Sequence, residues 1–272
     1  MKVSVITVNF NNKAGLEATI KSVVGQRFKD FEFIIIDGGS TDGSKDVIVA
    51  NKDKIDYWVS ERDKGVYNGM NKAIAVAKGE YCIFMNSGDC FYSDSVMEEV
   101  FSKNPDADYI AGDYQDGAVL KKSPQTLTLS YMYDNAICHQ AVFIRTSLLK
   151  ANPYDETYRI AADWAEMFDE LILRNASYSY QNVVVASLQP NGMSKVGWKE
   201  LSADRDRHLK AVLPFRIYDS LKQDRIQKQI SAQQGELFSK ILYLSSSPKM
   251  MKVVNSVVFS LYNFLIRRNK GK

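Results

Sequence analysis

Two short runs rich in apolar residues, Val3 to Val8 and Phe31 to Ile36, flank a segment in which Leu16, Ile20, Val23 and Val24 recur at helical spacing. Strands this apolar need cover on both faces, which a parallel sheet layered between helices supplies. The pattern predicts a complete βαβ unit at the start of the chain.

The alternation continues. It predicts a helix from Thr41 or Asp42, a strand at Tyr57 to Ser60, a helix from about Tyr67 to Ala77 closed by Gly79 as its C′ residue, and a strand at Tyr81 to Met85. Ser95-Val96-Met97-Glu98 has the spacing of a capping box opening a further helix. From about Asp108 to Pro190 the order is mixed, with strands near Tyr109 to Ala111, Ala141 to Arg145 and Val183 to Leu188, and an amphipathic helix around Ile160 to Arg174. The fold class expected is α/β, a Rossmann-like, mostly parallel sheet flanked by helices. Residues 1–192 form this domain, and 193–272 form a helical C-terminal extension.

In parallel α/β sheets ligands sit at the carboxyl ends of the strands, so the polar residues ending each run matter most. They are Thr7-Val8-Asn9, Asp37, Ser60-Glu61-Arg62-Asp63 and Asn86-Ser87-Gly88-Asp89. No G-x-G-x-x-G follows the first strand and no G-x-x-x-x-G-K-[ST] occurs, which argues against a dinucleotide or P-loop site. Phosphates are then best held through a divalent cation, with Asp89 as its carboxylate.

The segments TVNFNN, DGGSTDGS, SERDKGVYNGMNKAI and NSGD, in this order at strand ends, resemble the family 2 glycosyltransferases of the GT-A fold. The likeness is strong over residues 1 to about 100, scattered to about 190, and silent on the tail. It implies a nucleotide-sugar half, 1–100, and an acceptor half, 101–192. It also implies that Thr7, Asn9 and Asp37 hold uracil and ribose, with Asp63 closing the base pocket. A carboxylate suits the uracil N3–H, and the glycines after Asp37 also fit a plain turn.

Where the family commonly carries D-x-D, this chain has Asn86-Ser87-Gly88-Asp89. By resemblance Asp89 binds Mg²⁺ or Mn²⁺ with the diphosphate of a UDP-sugar, and Asn86 contacts ribose or donor sugar. An inverting transfer needs one base and a metal-stabilised leaving group. The family places the base downstream on a helix, where Ala161-Ala162-Asp163-Trp164 stands. Asp163 is therefore the expected base, among apolar neighbours able to lift its pKa, with Glu166 and Asp169 as rivals. In related chains a His-Gln pair like His139-Gln140 lines the acceptor side, although a lone histidine is as readily structural. Cys138 reads as a buried small residue, Lys64 and Lys72 as phosphate contacts or, more simply, solvated lysines, Tyr67, Asn68 and Asn71 as ordering the nucleotide loop, and Met70 and Ile74 as core.

The net charge of +3 suits anionic ligands or a membrane surface and is too small to argue for nucleic acid. Three cysteines without C-x-x-C spacing, and no signal-peptide pattern, point away from zinc and towards the cytosol. The stretch Met250 to Ile266, broken by Asn255, Ser256, Ser260 and Asn263 and followed by Arg267-Arg268, is too short and interrupted to span a bilayer. It predicts either peripheral contact at the cytosolic face of a membrane or packing on protein, a homo-oligomer included. On the membrane reading the acceptor is a polyprenyl-diphosphate-linked glycan, as for bacterial relatives that build surface polysaccharide such as O-antigen or capsule. A sugar nucleotidyltransferase and an inactive nucleotide-sugar-binding scaffold are the alternatives.

Overall fold

A computed structural model describes residues 1–189 and 197–245 and, beyond them, positions 252 and 256. The chain divides into two units, Met1–Val212 and Leu213–Lys272.

In the first unit, strands β1 (Val3–Asn9), β2 (Phe31–Asp37), β3 (Tyr57–Ser60) and β4 (Tyr81–Phe84) run parallel in the order β3-β2-β1-β4. Beyond β4 the sheet continues through β8 (Val142–Arg145), β6 (Tyr109–Asp116) and β9 (Tyr178–Leu188) to β5 (Cys90–Phe91), while β7 (Val119–Lys121) pairs with β6. Strand β8 is antiparallel to both neighbours, and β9 is parallel to β6. Every residue of β1 is buried, as a central strand covered on both faces requires.

Helix α1 (Lys13–Val24) packs on one face of this sheet beside α2 (Ser44–Ala50), and α3 (Val66–Val76) lies on β1 and β2. The buried side of α3 includes Tyr67, Met70, Ala73 and Ile74, so the expected core role of Met70 and Ile74 holds. Short helices α4 (Val96–Phe101), α5 (Leu129–Asp134) and α6 (Thr146–Ala151) follow. Helix α7 (Ala162–Phe168) runs on into a π turn, Asp169–Leu173, and α8 (Trp198–Val212) ends the unit. The second unit contains α9 (Phe215–Ser245).

Three local expectations are corrected. Gly79 does not cap α3, whose C-cap is Ala77. Gly79 instead lets β4 approach β1: a Cβ there would lie 2.4 Å from the Ser4 nitrogen. Ser95 opens α4 without a side-chain cap: its hydroxyl donates to Glu99, and its oxygen accepts no N–H of the first turn. Helix α2 starts at Ser44, since the Asp42 carboxylate accepts the Ser44 N–H at 3.0 Å and its hydroxyl at 2.6 Å, making a turn. Among the described residues no helix is long and apolar enough to cross a membrane. The basic amphipathic stretch Met250 to Ile266, the basis of the membrane expectation, lies outside the described residues apart from positions 252 and 256.

Candidate active site

The parallel register sets Asn9 beside Asp37 and Asp37 beside Ser60. Neighbours in register on parallel strands point to the same face, so these side chains converge. Asp37 Oδ1 accepts from Asn9 Nδ2 at 2.7 Å and Ser40 Oγ at 2.5 Å, and Oδ2 accepts from Ser60 Oγ at 2.7 Å and the Ser40 N–H at 3.0 Å. Four donors occupy about all the acceptor positions that a carboxylate offers. Burial pushes this carboxyl up, but the bonds from Ser40, Ser60 and Asn9 outweigh it and hold it below the usual range. Thr7 is also fully buried, its hydroxyl donating to the Met85 carbonyl at 2.7 Å and so tying β1 to β4.

Asp63 differs. It is half-buried on the loop after β3, and its Oδ1 accepts the Gly65 N–H at 3.0 Å. Its Oδ2 sits 2.6 Å from where a Cβ on Gly38 would stand, so the missing side chain at Gly38 makes room for it. The structure thus brings Asp63 over the Asp37-Gly38-Gly39 turn. Sequence reasoning passed over Phe10, whose ring is 64% exposed on the adjoining loop. Its signal was an aromatic residue directly after a strand-end amide.

At the end of β4, Gly88 takes φ 104° and turns the chain into Asp89. The buried Asp89 carboxylate accepts Gln140 Nε2 at 2.8 Å on Oδ2 and the Gln189 N–H at 3.0 Å on Oδ1. Thr19 of α1 braces this loop, donating to the Asp89 carbonyl at 2.7 Å and accepting the Gly88 N–H at 2.9 Å. Asn12, the N-cap of α1, donates to the Ser87 carbonyl at 2.8 Å, which sets a helix N-terminus beside the loop. No cluster of three or more His, Cys, Asp or Glu side chains suited to a metal occurs among the described residues. The donor set fits a hard cation that takes one carboxylate and completes its shell with phosphate oxygens and water.

Asp163, on the first turn of α7, accepts the Tyr67 hydroxyl on Oδ1 at 2.9 Å, and its Oδ2 lies 2.7 Å from His139 Nδ1. Burial drives the Asp163 carboxyl up, but His139, with the Tyr67 hydroxyl, reverses this and leaves it below the usual range. His139 is driven down by burial and lifted above its ordinary value by Asp163. The turn His139–Ala141 splays two adjacent side chains, sending Gln140 to Asp89 and His139 to Asp163. The far nitrogen of His139 meets Asn86 Nδ2 at 3.2 Å. Asn86, Asp89, His139, Gln140 and Asp163, drawn from three stretches of chain, therefore form one connected group.

The two rivals to Asp163 are held elsewhere. Glu166 is 7% exposed, takes the Tyr109 hydroxyl at 2.7 Å, and is pushed up to about 8 by burial and by the charges of Glu170 and Asp163. Asp169 pairs with His208 Nε2 at 2.8 Å. Lys72 pairs with Glu61 at 2.7 Å, and Lys64 is exposed. Asn68 and Asn71 both donate to Glu156, and Asn71 also donates to the Tyr154 carbonyl at 2.8 Å, tying α3 to the segment before α7.

That segment is also gripped by α8, whose part in the site the sequence reading missed. Asp204 accepts the N–H groups of Arg159 and Ile160 at 2.8 and 3.0 Å. Arg205 donates to the carbonyls of Met132, Tyr133 and Asn135 at 2.7 to 2.9 Å, with its guanidinium 4.3 Å from the Trp164 ring centre. His208 lies between the Tyr158 hydroxyl at 3.0 Å and Asp169. The signal was Asp204, Arg205 and His208 on one helical face, hidden in a run that reads as solvated charge.

The model of the family described as Glycosyl transferase family 2 matches residues 4–143. The uncharacterized glycosyltransferase Rv1514c of Mycobacterium tuberculosis strain H37Rv is 36% identical over 184 residues, 64% of this chain and 68% of the relative. Among solved structures, Staphylococcus aureus TarS residues 1–349 in complex with UDP-GlcNAc superposes with a TM-score of 0.64 at 20% identity, over 81% of this chain and 70% of that one. The mannosyltransferase PcManGT of Pyrobaculum calidifontis, in complex with GDP-Man and Mn²⁺, gives 0.60 at 12% identity, over 93% and 83%. At such identities the structural likeness speaks for the fold alone.

Proposed function

Because the chain belongs to glycosyl transferase family 2 and has the GT-A fold, we propose that it moves a hexose or N-acetylhexosamine from a UDP-sugar to an acceptor hydroxyl with inversion. The observation that supports this reading is the connected group from Asp89 to Asp163, in which the carboxylate proposed for the leaving-group side and the one proposed as base are linked through His139 and Gln140. TarS, crystallised with UDP-GlcNAc, supports the donor class.

In this reading Asp63, Asn9 and the exposed ring of Phe10 receive the base of the nucleotide, with Asp37 and Thr7 forming the wall behind them. Asp89 would hold Mg²⁺ or Mn²⁺, which when bound would neutralise charge on the departing diphosphate; PcManGT, crystallised with Mn²⁺, supports this. Asn86 lies on the donor loop and Gln140 orients Asp89. Asp163 takes the acceptor proton as the acceptor oxygen bonds to the anomeric carbon. The bond from that carbon to the diphosphate oxygen breaks, and its electron pair leaves with UDP.

The acceptor proposed is a lipid-linked or oligosaccharide hydroxyl in surface-polysaccharide synthesis, met at the cytosolic face of a membrane. The support is the apolar and basic pattern from Val253 to Lys270. The test is release of the nucleoside diphosphate, UDP or GDP, by the purified full chain with Mn²⁺, across a panel of UDP-sugars plus GDP-mannose, with lipid-linked acceptors. Turnover of one UDP-sugar is expected, with Asp163→Asn keeping UDP affinity and losing about 100-fold or more in transfer. No release from any donor would sink the sugar-transfer reading and leave the nucleotidyltransferase and the inactive scaffold, and undiminished transfer by Asp163→Asn would move the base elsewhere.

A further inference from the structure

One buried polar atom in the site has no role in the reaction as written. Asn86 Oδ1 has no partner among the described residues, although the same amide contacts His139 through Nδ2. The imidazole bridges two segments: Nδ1 is 2.7 Å from Asp163 Oδ2, and Nε2 is 3.2 Å from Asn86. The Phe84 ring stands edge-on to it at 6.4 Å between centres.

An ionised Asp163 only accepts, so His139 Nδ1 must carry a proton. In neutral His139, Nε2 is then a bare acceptor and takes an N–H of Asn86, leaving Asn86 Oδ1 without a donor. In charged His139, Nε2 also carries a proton, and turning the Asn86 amide over presents Oδ1 to it. An amide at position 86 serves both protonation states. A carboxylate there, as in the family's commoner motif, would compete with Asp163 for the imidazole.

We propose that His139 is a positioning residue for the transfer step, holding Asp163 as an oriented anion through Nδ1–H and tying it through Nε2 to Asn86 on the donor loop. The assignment rests on the sugar-transfer reading for its purpose, but the hydrogen-bonded chain stands on its own geometry. The titratable groups facing the pair are Tyr67 of α3, Asp89 of the donor loop, Cys138 beside His139, Tyr154 before α7 and Glu166 of α7 itself, and burial pushes the Cys138 thiol and the Tyr154 hydroxyl up so that both stay neutral. Tyr67 stays protonated, since burial and Asp163 push its hydroxyl far up. Glu166, raised to about 8, bonds to Tyr109 in the core, and Asp89 accepts from Gln140.

The chain has two histidines, so ¹⁵N imidazole NMR of the full-length protein resolves both, with His139→Gln giving the assignment. In the wild type His139 should titrate above its ordinary value, and its neutral form should be the Nδ1–H tautomer instead of the commoner Nε2–H one. In Asp163→Asn its midpoint should fall by about one pH unit or more. A neutral His139 in the Nε2–H form, or a midpoint unmoved by Asp163→Asn, overturns the proposal. The tautomer needs only the wild type, so a poorly folded variant leaves the test intact.

In the UDP-release assay His139→Gln should lower kcat by about 10-fold or more. It should move the acid limb of the kcat profile to higher pH, because Asp163 loses the partner that keeps it ionised, and change the donor KM by less than about twofold. A lower kcat with the acid limb unmoved also overturns the proposal. Absence of turnover with every donor would sink the sugar-transfer reading, while the NMR result would still decide the pair.

Discussion

Asp163 and Glu166 stand three residues apart on α7, yet their carboxyls are driven in opposite directions, one held low by His139 at 2.7 Å and the other raised to about 8 in the core beside Tyr109. Their surroundings alone separate them, leaving the Asp163 carboxyl ionised at neutral pH and the Glu166 carboxyl with its proton.

Glu166 should therefore make stability depend on pH. Its folded pKa of about 8 lies above the ordinary 4.5, so the folded state holds the proton more tightly than the unfolded chain does. The contribution is complete below pH 4.5 and is lost as pH rises through about 8. Glu166→Gln, neutral throughout, should match the wild type near pH 4.5 and exceed it near pH 8.5 by on the order of a few kcal/mol. Urea unfolding at the two pH values measures this, and an equal difference at both would refute it.

Asp37 and Asp63 should separate as wall and ligand contact. Asp37→Asn replaces two acceptor positions with donors facing Ser40 or Ser60, which should cost about 2 to 4 kcal/mol in stability. Asp63→Asn should alter stability by less than about 1 kcal/mol while weakening UDP binding about tenfold. Thermal unfolding and UDP calorimetry on both variants check this. Loss of UDP binding by Asp37→Asn at unchanged stability would return the base contact to Asp37.

Arg205 should act on the site through Trp164, the residue beside Asp163. Lysine keeps a charged donor for the carbonyls but has no planar guanidinium to stack on the indole. Arg205→Lys should cost about 1 to 3 kcal/mol and lower kcat more than it raises the donor KM. A loss confined to KM would show that α8 supports the donor pocket and not the base.

The sheet was legible because β1 and β2 are short apolar runs and α1 has a clear helical period. The strand ends were legible because a parallel sheet gathers them at one edge whatever the loops do. Family membership could be read from four short motifs for the same reason. Strand β5, two residues long, and the hairpin strand β7, exposed throughout, bear no periodic signal. The start of α2 was misplaced because Asp42 makes a local turn with Ser44, whereas α4 opens at Ser95 as expected but without the capping-box bond, since the Ser95 hydroxyl turns to Glu99.

The candidate site divides along the same line. The residue types at Asp37, Asp63, Asp89 and Asp163 are set by sequence, because ionisable side chains at strand and helix ends are local facts. Which of them faces a ligand is decided by tertiary structure alone. Asp37 is enclosed by Ser40 and Ser60, Glu166 is sunk beside Tyr109, and Asp163 is paired with a histidine 24 residues away. Hydrogen-bond saturation and burial depend on neighbours brought in from other strands, and no spacing along the chain encodes them.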